Sequence, residues 1–204
     1  MKQLLFLLVL GLICSCNFSD HSRTTSTSRL VPEPDIAERL KYQKASVDTL
    51  FSHDRSSIEV LVKLAGKTNL MPFKDTILPD ETEVSFNIFR DSSKHIVAII
   101  ESPYSQSGDW FLTLTHYFDK SGQTFAFERQ TNFFNSGCTE GVAYETKTEF
   151  FNSDFRLIRN EYKLVDEKER NLNKVSCSFM YDYDYKILPS VAKYLQAKRI
   201  KNGR

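Results

Sequence analysis

Trp110-Phe111-Leu112-Thr113-Leu114-Thr115-His116-Tyr117-Phe118, then Asp119-Lys120-Ser121-Gly122, then residues 124–134, carry the clearest strand pattern in the chain. In its first arm Trp110, Leu112, Leu114 and Phe118 share one parity, and Thr113, Thr115 and Tyr117 share the other. A period of two describes an extended chain with one face buried, as in an antiparallel sheet. Asp, Ser and Gly between the arms are turn residues, so the stretch reads as a hairpin. The same pattern recurs on both sides. Residues 84–90 and 95–102 flank Asp91-Ser92-Ser93-Lys94, and 142–151 and 155–165 flank Asn152-Ser153-Asp154. After a charged turn over 166–173, Val175, Cys177, Phe179, Tyr181, Tyr183, Tyr185 and Ile187 alternate with Ser176, Ser178, Asp182 and Asp184. The expectation is about seven antiparallel strands between residues 84 and 188.

Upstream the period changes. Ile36, Leu40, Val47, Leu50 and Phe51 follow helical spacing over 35–51, with Pro34 and Asp35 suited to a helix start. A second short helix is expected over 57–65: Ser56 and Glu59 form a capping box, Ile58, Leu61, Val62 and Ala65 one stripe, and Gly66 a stop. Residues 70–82, with Pro72 and Pro79, read as an irregular connector. Downstream, residues 189–201 read as a helix presenting Val191, Tyr194, Leu195 and Ile200. The fold class is therefore α+β: a curved antiparallel β-meander of about seven strands with short N-terminal helices and a C-terminal helix. Sixteen Phe and nine Tyr suit half-buried pleated surfaces, and only seven Gly argue against a tight, kinked barrel.

Composition bounds the function class. The chain has 204 residues, a net charge of +1 and 41% hydrophobic residues. That is the balance of one globular domain with a real core, and it excludes a collagen, a disordered tail, a multi-span membrane protein and a strongly basic nucleic-acid binder.

The N-terminus stands apart. Lys2 gives a positive start, and residues 4–13 are an apolar run of ten. A spanning helix needs roughly 20 such residues, so residues 1–15 read as a secretory signal peptide. Ile13, Ser15 and Cys16 resemble the lipobox of bacterial lipoproteins, with Cys14 a departure at the position before Ser15. The resemblance implies cleavage before Cys16 and acylation of Cys16. The mature chain would then have 189 residues, with 26 basic and 26 acidic side chains. Such a neutral chain would meet its membrane partner through the lipid anchor, since a lone acyl chain is marginal but two or three hold. Asn17 after the lipidated Cys implies a lean towards the outer membrane, periplasmic or surface-facing. Residues 16–34 are rich in Ser and Thr, with Pro32 and Pro34, and read as a flexible tether. Residues 35–204 then form a single globular domain, helical over 35–66, sheet over 84–188 and helical over 189–201.

Two cysteines remain, Cys138 and Cys177. In an exported chain an even pair suggests one disulfide. Counting strands places them apart, so the loop at Ser136-Gly137-Cys138 would have to fold over the sheet. A disulfide and two separate thiols both remain open at this point.

Motifs for chemistry are sparse. The four histidines show no metal-ligand spacing, and no P-loop, dinucleotide-binding or nucleophile-elbow motif occurs, so no cofactor and no metal are expected. His116 reads either as a base in an apolar pocket or as a hydrogen-bonded histidine at a sheet end. Cys138 with Glu140 is a weak nucleophile–base pair. Asp182 and Asp184 are too few oxygens for calcium. Tyr104, Trp110, Phe133 and Phe134 gather at strand ends next to loops and form the candidate partner-binding patch, with core packing as the alternative. The leading expectation is a non-catalytic envelope lipoprotein that binds an envelope protein or glycan, and no nucleic acid. A carrier of an apolar ligand in an aromatic-rich sheet cavity and a hydrolase with an unrecognised site are the alternatives.

Overall fold

The structure, a computed structural model, describes residues 33–53, 58–75, 77–179 and 183–201. The lipobox, Cys16 and most of the expected tether lie outside the described residues, as does Asp182. One helix, α1 (Glu33–His53), leads into eight strands. These are β1 (Ile58–Leu64), β2 (Met71–Phe73), β3 (Thr82–Arg90), β4 (Ile96–Pro103), β5 (Trp110–Phe118), β6 (Thr124–Phe133), β7 (Ala143–Phe151) and β8 (Leu157–Val165). A short 3₁₀ turn (Lys174–Ser176) and helix α2 (Val191–Lys198) follow. All strands join one open antiparallel sheet in the order β2-β1-β3-β4-β5-β6-β7-β8. From β3 onward this is the meander that the alternating pattern implies.

Four turns of one design set its registers. Asp91, Asp119, Asn152 and Asp166 each donate their backbone N–H to the carbonyl four residues on, at His95, Gln123, Arg156 and Arg170. Each also accepts, on its side-chain Oδ1, the N–H of that same distant residue at 2.9 Å. The short Asx side chain thus does what a further backbone group would do in a longer loop. The fourth residue of each turn is left-handed: Lys94 (φ 68°), Gly122 (79°), Phe155 (57°) and Glu169 (58°). Glycine is needed at only one of them, because a Cβ on Gly122 would lie 3.0 Å from Val191 Cγ1 in α2. The three hairpins closed this way carry a register shift next to the turn, at 89/90, 117/118 and 150/151.

The sheet has two covered faces. On the helix face, Leu40 and Val47 of α1 pack on Phe89, Ala98, Tyr117, Phe125, Ala126 and Phe150. On the opposite face, Tyr194, Leu195 and Ile200 pack on Leu61, Phe86, Ile88, Ile99 and Phe118. Beside them Tyr183, Tyr185 and Ile187 lie on Leu112, Leu114 and Phe127.

Three expectations need correction. Residues 58–64 are strand β1, so the helical span 35–66 reduces to α1. The i, i+3, i+4 stripe is real, but Val60 and Val62 turn to one side and Leu61 to the other, and β1 pairs with β3 along its whole length. The connector over 70–82 contains β2, whose Pro72 is tolerated on an edge strand. The described residues of the alternating segment, 175–179 and 183–187, are not a strand, so the sheet ends at Val165 instead of 188. Beyond the 3₁₀ turn, 177–179 and 183–187 form a strap laid across a sheet face. Its period of two records Phe179, Tyr183, Tyr185 and Ile187 turning toward the protein, not pairing in a ladder.

The strap also explains the cysteines. The chain doubles back after β8, and Ser178 N–H donates to Ser136 O at 2.7 Å. That contact brings Cys138 of the β6–β7 loop and Cys177 of the strap within 4.7 Å (Cα to Cα), joined by a disulfide.

Candidate functional site: the aromatic end of the sheet

The buried polar groups are mostly saturated. Glu101, 2% exposed, accepts from Tyr183 Oη (3.0 Å), Tyr194 Oη (2.9 Å) and Lys198 Nζ (2.7 Å). Burial and the Glu101 carboxylate push the Tyr194 phenol well above its ordinary range. On the helix face Lys44 falls in the apolar stripe of α1, between Leu40 and Val47. Its ammonium meets Glu128 at 2.8 Å and Asp48 at 2.9 Å, and Tyr117 Oη donates to Asp48 at 2.8 Å. Burial alone would lower Lys44, but Glu128 and Asp48 outweigh it and hold the ammonium above its ordinary range. Glu145 is met by Arg129 (3.2 Å), Tyr162 Oη (2.9 Å) and Lys174 (3.5 Å). Groups that already hold partners in this way do not present a free acid and base across a cleft.

His116 is a buried titratable group with a loose end. Its Nε2 accepts from Leu188 N–H at 3.1 Å, which fixes the proton on Nδ1. Nδ1 has no hydrogen-bond partner among the described residues. Phe127 and Tyr194 present their rings edge-on at 5.0 and 4.8 Å. Burial, with a smaller contribution from the Lys198 charge, lowers the imidazole to about 3. It is a neutral anchor for the strap. The Cys138–Glu140 pair fails as a nucleophile and base, because Cys138 is in the disulfide. Among the described residues no cluster of three or more His, Cys, Asp or Glu could hold a metal ion.

The surface that stands out is apolar. Register places Phe111 opposite Asn132, and Asn132 opposite Tyr144. These three residues form one row across β5, β6 and β7, with Phe111 and Tyr144 two strand spacings apart, about 10 Å. Alternation from Tyr117, Ala126 and Phe150 puts the row on the helix face. The same count from Ala98 and Ala126 adds Tyr104 and Phe134. Tyr104 N–H donates to Glu83 O and Phe134 N–H to Asp109 O, so both continue their strands. Exposures are 43% (Tyr104), 50% (Phe111), 48% (Phe134) and 36% (Tyr144).

Helix α1 does not reach this row. Its innermost polar contact on β6 is Glu128, four residues or about 13 Å of strand short of Asn132. Its first turns lie at the other end, where Ile36, Arg39 and Leu40 line a groove with Asp119, Gln123, Asn152 and Ser153.

The candidate patch read from the sequence therefore divides. Tyr104 and Phe134 are exposed on the helix face. Phe133 is buried at 4% and stacks on Phe179 of the strap at 4.5 Å. Trp110 is half-buried on that same opposite face, against the Leu112–Phe127 cluster. Phe111 and Tyr144 take their place. The signal for Phe111 was its parity, opposite to that of Trp110; nothing local marked Tyr144.

The grooves described, of about 230 to 480 Å³, lie at the surface. The largest of these runs beside β1 and β2, between Glu59, Leu61, Leu70, Pro72, Arg199 and Lys201. Among the described residues no helix is long and apolar enough to cross a membrane.

No family model matches the chain, and neither a curated protein nor a solved structure matches it.

Proposed function

We propose that this chain is a lipid-anchored envelope protein whose sheet domain is a binding module, with the aromatic end of the helix face as its docking surface for a protein or glycan. The observation that carries this reading is the row of Phe111 and Tyr144, flanked by Tyr104 and Phe134, left uncovered together at one end of the helix face. Isolated exposed aromatics are ordinary, but four on one face at one end of the strands are the pattern of an interaction site. Asn132 lies within the row and Asn135, bonded to Asp109 at 3.2 Å, beside it. Polar groups among aromatic faces suit a partner that is itself part apolar, part hydroxyl or amide. The carrier alternative is weakened because Tyr183, Tyr185, Ile187 and Tyr194 fill the other face where a ligand would sit. The hydrolase alternative is weakened by the saturation of Lys44, Glu101 and Glu145. The anchor rests on the lipobox of the sequence, and the chain enters the described domain at Glu33, at the end of the strands remote from the aromatic row.

The test has two arms. A photo-crosslinking residue at position 111 or 144 of the full chain, in intact cells, is expected to give a discrete adduct that the same residue at Met71 does not give. The adduct is expected to disappear in Tyr104→Ala/Phe134→Ala. Identical adducts from all three positions, or none, would overturn the docking surface. Labelling with an alkyne fatty acid is expected to tag the chain and to fail on Cys16→Ala; label retained in that variant would remove the anchor.

A further inference from the structure

The two edges of the sheet differ. Edge strand β2 is three residues long and carries Pro72, two ordinary devices against unwanted strand pairing. Edge strand β8 is nine residues long and contains no proline. Among the described residues its outer side is covered at one end only. The chain returning after β8 pairs Asn171 with Val165, and Leu172 N–H donates to Leu164 O at 3.0 Å. It then crosses onto the strap side, where Lys174 lies 4.9 Å over the Tyr162 ring. The Leu164 carbonyl therefore points off the outer edge, and by strand alternation so do the backbone groups of Tyr162 and Asn160.

We propose that this edge pairs with the β8 edge of a second copy of the chain, antiparallel and centred on Asn160, joining two sheets into one. Outward residues must face outward residues, which leaves only a few registers about a two-fold axis. Centring on Asn160 sets Arg159 opposite Glu161 of the second copy, and does so twice. Centring on Glu161 sets that carboxylate opposite itself and Arg159 opposite Lys163. Centring on Arg159 sets two guanidinium groups face to face. Like charges directly opposite are unfavourable in a sheet and opposite charges favourable. Centring on Tyr162 needs the outer side of Leu164, which Leu172 occupies. Among registers centred on residues 159 to 162, charge and the covered end together select one. The helix-side charges fit the same pairing. Arg159 already lies 2.7 Å from its own Glu161, Lys41 lies 3.2 Å from Glu161, and Glu38 meets Arg159. The cluster is locally neutral, so two copies meet without net repulsion.

The register is read by crosslinking. In a hydrogen-bonded antiparallel pair the facing Cα atoms are about 5.5 Å apart, within disulfide reach. In the full chain, Asn160→Cys is expected to give, under mild oxidation, a dimer whose linked peptide joins position 160 to position 160. Glu161→Cys is expected to give at least tenfold less, and the parent chain none through this strand. Adding Arg159→Glu or Glu161→Arg to Asn160→Cys is expected to lower dimer yield about tenfold, and adding both to restore it within about threefold. Dimers of equal yield from positions 160 and 161, a link at 161 alone, no dimer at all, or single and double charge variants that behave alike would each overturn the proposal. Capture of an unrelated chain at position 160 in place of a second copy would do the same.

Discussion

The two faces of the sheet are covered in opposite ways. The strap face carries residues 174–179 and 183–188 with almost no ladder, yet that chain is fixed by a disulfide, by the Tyr183–Glu101 bond and by the His116–Leu188 bond. The helix face is covered by a regular helix held by a short apolar stripe and partly exposed ion pairs, and it stops before the end of the strands. The difference shows that regularity and anchoring are separate properties. The irregular cover is the one tied down by a disulfide, and the regular cover, held inward by the Lys44–Glu128 pair, is the one that leaves aromatic surface free.

The comparison can be broken from the strap side first. Phe127→Ala removes a fully buried ring between Leu114 and Tyr185 and is expected to cost about 3–5 kcal/mol in denaturant unfolding. Replacing both Cys138 and Cys177 with Ser opens a 39-residue separation. In the loop-entropy account this costs about 4 kcal/mol, seen as a lower melting temperature than the oxidised parent. A reduced parent should match the variant.

His116 makes the strap face sensitive to acid. Its folded value of about 3 lies below the ordinary 6.5, so the unfolded chain takes up a proton that the folded chain refuses. The stabilisation from neutral His116 is thus complete above pH 6.5 and is lost as pH falls towards 3. His116→Gln, which keeps an acceptor for Leu188, is expected to flatten that part of the stability–pH curve. An unchanged slope would show that His116 does not titrate this way.

Smaller effects sharpen the contrast on the helix face. Tyr117→Phe removes the hydrogen bond to the part-exposed Asp48, with an expected cost of about 1 kcal/mol. Phe111→Ala, at a half-exposed site, is expected to change stability by no more than about 0.5 kcal/mol while abolishing partner crosslinks from position 144. A large stability loss there would mean that the row is core and not surface.

The meander was legible because each signal was local. Asx residues open the turns, and parity in β5 sorts Leu112 and Leu114 from Thr113 and Thr115. What failed was every inference that needed a neighbour. Residues 58–64 carry a helical stripe as good as many, and only the presence of β3 alongside turns them into a strand; short apolar runs are ambiguous in this respect. Residues 175–187 alternate because any extended chain laid on a surface buries every second side chain, whether or not it joins the ladder. The strand count that seemed to separate Cys138 from Cys177 assumed that the chain continued sideways after β8, whereas it turns back over the face. The aromatic end was half-visible for the same reason. Sequence gathers aromatics by position along the chain, but exposure depends on which face the helix leaves bare.

The four Asx turns carry a consequence for the order of assembly. Each closes five residues with its own side chain and positions its flanking segments without help from distant residues. Sequence-local closure is the inexpensive kind in chain entropy. The hairpins from β3 to β8 can therefore zip as neighbours, while the pairing of β1 with β3, the strap and α2 must search across longer spans. Oxidation of Cys138 and Cys177 then belongs to a late stage, as a latch on a sheet already made.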